Sequence, residues 1–228
     1  MKKYLSFAII ATSVTLSACN SGGTSANSTS NATPPASGSG SGSGSQASAA
    51  SNVVPIVIDA GPTGQSPDNT PFVSVTVCST SSPTNCQTID HIILDTGSMG
   101  LRLFANKLNS SLNLTPQTIN GQTTAECTLF GSGYDWGSIA LANVKMAGEI
   151  ANNVPIQIIN DSTIPGVPSD CSNEGAYNDL GGANGIIGVN PLPYDQGNYY
   201  SCSGNSCTLN SSITTAQQVV SPVYKFST

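Results

Sequence analysis

Charge is the scarcest property of this sequence. Asp, Glu, Lys and Arg make up 8% of 228 residues, with six Lys or Arg against twelve Asp or Glu. Apart from Lys2 and Lys3 at the start, the strong cations are Lys107, Lys145, Lys225 and Arg102. So acidic a body is a poor binder of nucleic acid or anionic lipid. Histidine is almost absent, with His91 alone, and no two cysteines are spaced CxxC. The common zinc ligand sets are therefore missing, and neither a metal nor another cofactor is expected. No apolar run reaches the ~20 residues of a spanning helix. Gly181-Gly182-Ala183 lacks the helical pattern that a phosphate cradle needs after it.

Ser, Thr, Asn and Gly are plentiful instead, and Val and Ile recur in short alternating runs. That composition predicts an exported all-β domain of ordinary size with few short helices. Seven cysteines are present. Cys19 stands apart, and the other six form an even set, which in an exported chain reads as three disulfides. Six cysteines allow fifteen connectivities. Cys78 with Cys86 and Cys202 with Cys207 are close neighbours that would staple short loops, which leaves Cys127 with Cys171 by elimination.

The chain begins with Lys2-Lys3, an apolar run from Leu5 to Leu16 and small residues before Cys19. This is the pattern of a secretory signal over residues 1–18. Leu16-Ser17-Ala18-Cys19 resembles the bacterial lipobox. The resemblance implies cleavage before Cys19, acylation of its sulfur and, with Asn20 next, residence at the outer membrane, facing periplasm or cell surface. Residues 19–52 are low complexity, including an alternating Ser-Gly run from Ser37 to Ser45. They lack the apolar groups to offset ordering and read as a disordered tether with a reach of ~30 Å. Residues 53–228 carry the domain.

Strands are expected over Val53–Ile58, Phe72–Cys78 and Gln87–Leu94, the last two forming a hairpin stapled by cysteines. Asp59-Ala60-Gly61 reads as a strand-end turn, and His91 as a strand residue with a satisfied ring. Ile92-Ile93-Leu94 then runs into Asp95-Thr96-Gly97-Ser98, followed by Leu101, Leu103 and Phe104. A carboxylate at the end of a buried strand is costly unless hydrogen-bonded or used. Glycine lets the backbone turn tightly there. Cys127–Phe130 and Tyr134–Leu141 flank Gly131-Ser132-Gly133, a hairpin signal. Gly137–Glu149 reads as a strand pair, Val154–Ile159 as a buried strand, Asn190–Cys207 as a stapled loop, Ile213–Val220 as a short helix and Val223–Thr228 as the start of a strand.

The sequence Ile93-Leu94-Asp95-Thr96-Gly97-Ser98 resembles the active-site loop of pepsin-like and retropepsin-like aspartic peptidases. Its longer form, ILDTGSMGLRL, is similar to the DUF3443 bacterial lipoproteins of that clan. Two further elements match in order. Phe130-Gly131-Ser132-Gly133 resembles the flap, with Phe130 where the family has tyrosine, and Gly185-Ile186-Ile187-Gly188 resembles the strand that threads the acid loop.

The resemblance implies one pepsin-like lobe with Asp95 as a catalytic acid, Thr96, Gly97 and Ser98 as its supporting loop, and Ile186, Ile187 and Gly188 as the threading element. It implies a peptide substrate. The family's chemistry needs two carboxyls, and one convincing loop is present. The second would come from a further lobe or a homodimeric copy. A truncated reading frame is the expected reason for its absence, and the lobe alone is expected to be inactive. The alternative is a non-catalytic surface lipoprotein that uses the fold for binding or structure.

Overall fold

A computed structural model describes residues 52–67 and 69–226. The expected signal, Cys19 and nearly all of the expected tether lie outside those residues. The first strands are β1 (Val57–Asp59), β2 (Thr70–Ser79), β3 (Cys86–Asp95) and β4 (Met99–Phe104). Two short strands follow, β5 (Thr115–Pro116) and β6 (Thr118–Ile119). Next come the long β7 (Gln122–Phe130), β8 (Gly133–Met146) and β9 (Glu149–Ile159). The one-turn helix α1 (Ser169–Ser172) precedes β10 (Gly185–Val189), β11 (Asn198–Ser203) and β12 (Ser206–Leu209). The described domain is all-β, in the order β1-β2-β3-β10-β4-β9-β8-β7-β11-β12. Among the described residues no helix is long and apolar enough to cross a membrane.

β10 decides the architecture. It runs parallel to β3, pairing Ile186 with Ile93 and Gly188 with Asp95, and antiparallel to β4, pairing Ile186 with Arg102 and Gly188 with Gly100. The strand that enters the Asp95 loop and the strand that leaves it are therefore held apart by a third. Paired residues share a face and side chains alternate. One face of this layer carries Ile92, Leu101, Leu103 and Ile187 in the main core with Val75, Val77, Val144 and Ile156. The other carries Ile93, Ile186 and Phe104, packed with Phe72, Ile159, Leu180 and Phe130. Arg102 and Asp95 belong to this second face.

Glycine is required where backbones cross. A Cβ on Gly188 would overlap the Ser98 carbonyl and the Met99 nitrogen, and one on Gly185 would overlap the Arg102 carbonyl. The bridges are Cys78–Cys86, Cys127–Cys171 and Cys202–Cys207. The first and last join directly opposed residues of β2–β3 and β11–β12. The second fastens β7 to α1.

Some local expectations differ. Residues 133–146 form one strand, because the chain reverses only at Ala147 and Gly148, both at positive φ. The segment expected as a helix over Ile213–Val220 holds only a 3-10 turn, Thr215–Gln217. Its end is instead tied to the sheet, with Val219 and Val220 buried. Residues 198–209 form a hairpin rather than a loop, and Pro222–Lys225 is a 3-10 turn rather than a strand.

Candidate functional site: an acid loop seated on a buried ion cluster

Asp95 ends β3 and is half-buried. Its Oδ1 accepts a hydrogen bond from the Gly97 N–H at 2.9 Å. Thr96 and Gly97 are exposed, whereas Ser98 is half-buried with its hydroxyl oxygen buried and unpartnered among the described residues. The Asn190 N–H donates to the Ser98 carbonyl at 3.0 Å, so the end of β10 also clasps the loop. What results is a carboxylate fixed by backbone at the edge of a rigid layer, on the face that carries Ile93 and Ile186.

The hairpin of β7 and β8 reaches this face. Phe130 is half-buried at its tip against the cluster that contains Ile93 and Ile186, while Gly131 and Ser132 are exposed. Gly133 has φ +143° and no room for a Cβ, which would overlap the Ala176 carbonyl. Here the 176–178 segment pairs with the hairpin, with Tyr134 N–H donating to the Ala176 carbonyl at 2.9 Å.

Sequence reasoning missed what lies beneath. Arg102 is 1% exposed. Its Nη2 donates to Glu126 Oε1 at 3.0 Å and to Asp195 Oδ2 at 2.6 Å, and its Nε donates to Thr128 Oγ1 at 3.0 Å. Its Nη1 donates to the Met99 carbonyl, at the exit of the acid loop. The guanidinium also lies 6.0 Å from the Phe130 ring centroid, a cation–π distance. Tyr199 donates its hydroxyl proton to Asp195 Oδ1 at 2.8 Å and accepts from the Val219 N–H at 2.6 Å. Thr128 donates on to Gln157 Oε1 at 3.0 Å.

Electrostatics follow from burial. Desolvation alone would lower the Arg102 pKa, but the Glu126 and Asp195 charges outweigh it and the net shift is upward. Burial pushes Glu126 well above the usual carboxylate range, against the attraction of Arg102 and with added repulsion from Asp195. Asp135 opposes Thr128 across the hairpin and is fully buried, with neither carboxyl oxygen hydrogen-bonded among the described residues. Burial raises its pKa to about 7, with Arg102 opposing the rise and Asp179 adding to it. An Arg inside Leu101-Arg102-Leu103 is the one signal of this cluster in the sequence, since a cation between two core positions of a strand must find partners.

His91 sits in β3 at φ +48°. Its Nε2 is 3.3 Å from Asp59 Oδ2, and Asp59 Oδ1 accepts from the Gly61 N–H at 2.8 Å. Asp59 thus caps a turn away from the acid loop. Among the described residues no group of three or more His, Cys, Asp and Glu could hold a metal ion.

A family model described as "Protein of unknown function (DUF3443)" matches residues 48–228. No curated protein matches. Among solved structures, the crystal structure of an aspartic proteinase from Irpex lacteus is similar at 16% identity and a TM-score of 0.37. The match covers 64% of this chain and 35% of the proteinase, so the chain spans about a third of that protein's length.

Proposed function

Since the chain belongs to the DUF3443 family, whose description assigns no activity, we propose that it is an aspartic-peptidase-like lobe in which Asp95 supplies one carboxyl of a peptide-hydrolysing pair. The observation that carries this reading is the threading of β10. Gly188 lies beside Asp95 on one side and Gly100 on the other, and the Ser98–Met99 backbone passes where a side chain would be. The threading holds the backbone on either side of the loop, and the Asp95 carboxylate accepts from the Gly97 N–H. It is presented outward from a fixed frame, which is what proton transfer to and from a bound water requires. The Phe130 hairpin against the same face supports a covered groove beside it.

The chemistry needs two carboxyls. The ionised one takes a proton from water as the water attacks the peptide carbonyl, and the protonated one donates to the carbonyl oxygen. Their pKa values separate because like charges so close cannot both ionise. Among the described residues the hydrogen-bond partner of the Asp95 carboxyl is the Gly97 N–H, not another acid. The second carboxyl therefore comes from another lobe or a second copy, and one lobe alone is inactive. Cleavage of an unfolded protein at acid pH, blocked by pepstatin and lost in Asp95→Asn, tests this in an assembly holding both carboxyls. Absence of cleavage in such an assembly would count against it.

Anchoring through acylated Cys19 belongs to the same proposal. Multiple acyl chains hold a protein at a bilayer where one would not. Fatty-acid labelling of the expressed chain, with Cys19→Ser as control, should show a label that the variant lacks. A second reading is a non-catalytic lipoprotein. It is favoured by Phe130, whose ring offers no hydroxyl toward the site and packs on apolar neighbours.

A further inference from the structure

We propose that Arg102 is a positioning residue that couples the Phe130 hairpin to the Asp95 loop, so that the two hold their geometry as one unit. This rests on the peptidase-like reading of the site and adds how the site is kept in register.

Arg102 stands on β4 one residue pair from Gly100, on the same face as Asp95. Its fork reaches three parts of the site. Nη1 holds the Met99 carbonyl, the last peptide of the acid loop. Nε holds Thr128, and Nη2 holds Glu126, both on β7 of the hairpin. Nη2 also holds Asp195 on the segment between β10 and β11. Phe130 lies over the guanidinium from the hairpin tip. No other described side chain bonds both the acid-loop backbone and the hairpin.

The surroundings are built to accept this residue. Gly100 has φ +91°, and a Cβ there would overlap Val219 and come within 3.1 Å of Arg102 Nη1. A Cβ on Gly197 would overlap Glu126 Oε1. Val219 is held by Tyr199, which is bonded to Asp195. A buried cation with two carboxylates is weak evidence for added stability, because desolvation offsets much of the attraction. It does fix orientation, because a planar fork bonds its partners at set angles. Lysine, a point charge on a flexible stem, cannot serve three directions at once.

The experiment is residue-resolved hydrogen exchange on the full chain, which needs no hydrolysis and so can fail or succeed independently of the peptidase reading. Thr128→Ala removes one hairpin contact to Arg102, together with the Thr128 bond to Gln157 of β9, and leaves the Arg102 bonds to Glu126, Asp195 and Met99 in place. Coupling predicts roughly tenfold faster exchange both at residues 129–134 and across the gap at residues 97–101, with β2 unchanged. A change confined to the hairpin would overturn the proposal, as would a uniform change throughout. Arg102→Met alone strands two buried carboxyls and can unfold the lobe. The charge-balanced R102M/E126Q/D195N variant covers that case. It should keep the exchange of β2 and β9 while both site segments speed up. Unchanged protection of the two segments in that folded variant would overturn the coupling. Arg102→Lys should restore charge without restoring protection at residues 97–101. Full restoration would show that charge, not the fork, is what matters, and would also overturn it.

Discussion

Two aspartates show how one residue type takes opposite roles. Asp95 is half-buried and bonded to backbone, so its carboxyl carries little of the fold. Asp95→Asn should change unfolding free energy by less than about 1 kcal/mol. In a two-carboxyl assembly it should lower hydrolysis at least ~10³-fold. Asp135 is the reverse, sealed in the hairpin with no bond to either oxygen among the described residues. Its folded pKa, about 7, lies above that of an unfolded aspartate. Between roughly pH 4 and 7 the folded chain therefore holds a proton that the unfolded chain has released. Stability is full below that window and is lost as pH rises through it. The span corresponds to a loss on the order of 3–4 kcal/mol. Denaturant unfolding across pH should show this decline, and Asp135→Asn should flatten much of it, leaving the same-signed contribution of Glu126. A wild-type lobe equally stable at pH 4 and pH 8 would contradict the burial argument. Neither Asp135 nor Glu126 announces itself in the sequence. Both lie in strands covered on both faces, where polar residues at inward positions break no visible alternation. Arg102 is counted among the strong cations on composition alone and turns out to be buried between two carboxyls.

At the level of elements, the threaded strand carries the largest local constraint. Gly188→Ala drives a methyl into the Ser98–Met99 backbone, and backbone cannot step aside as a side-chain tip can. A cost of about 3 kcal/mol or more is expected, measured by thermal or denaturant unfolding. The disulfides should rank by the chain they close. Cys127–Cys171 spans 44 residues and Cys202–Cys207 spans 5. In the chain-entropy account, removing the first as a double serine variant should cost about 4 kcal/mol and removing the second about 2 kcal/mol. Equal losses would show that native-state packing, not loop closure, sets the difference. The acid loop, the apolar-apolar-glycine run and the β7–β8 hairpin turn are legible in sequence because each has a local chemical cause. Glycine, a lone acid and a short reversal leave marks at fixed spacing. The true end of β8 and the 3-10 turn at Thr215–Gln217 are not legible. Tertiary pairing decides them, through β9 lying along β8 and through the hydrogen bond from Val219 to Tyr199.

For the whole molecule, the described domain holds the Asp95 loop, the β7–β8 hairpin packed on the same face, and a buried cluster hydrogen-bonded to both. The account makes the site a half, correct in its own geometry and silent until a second carboxyl faces Asp95. The most direct test is cleavage of an unfolded protein near pH 4 by the wild-type chain and by Asp95→Asn, each assayed as separated monomer and as a two-carboxyl assembly, with and without pepstatin. The account predicts cleavage by the wild-type assembly alone, abolished by pepstatin and absent from the Asp95→Asn assembly. Equal cleavage by the Asp95→Asn form, or none from a wild-type assembly whose two carboxyls face each other, would contradict it.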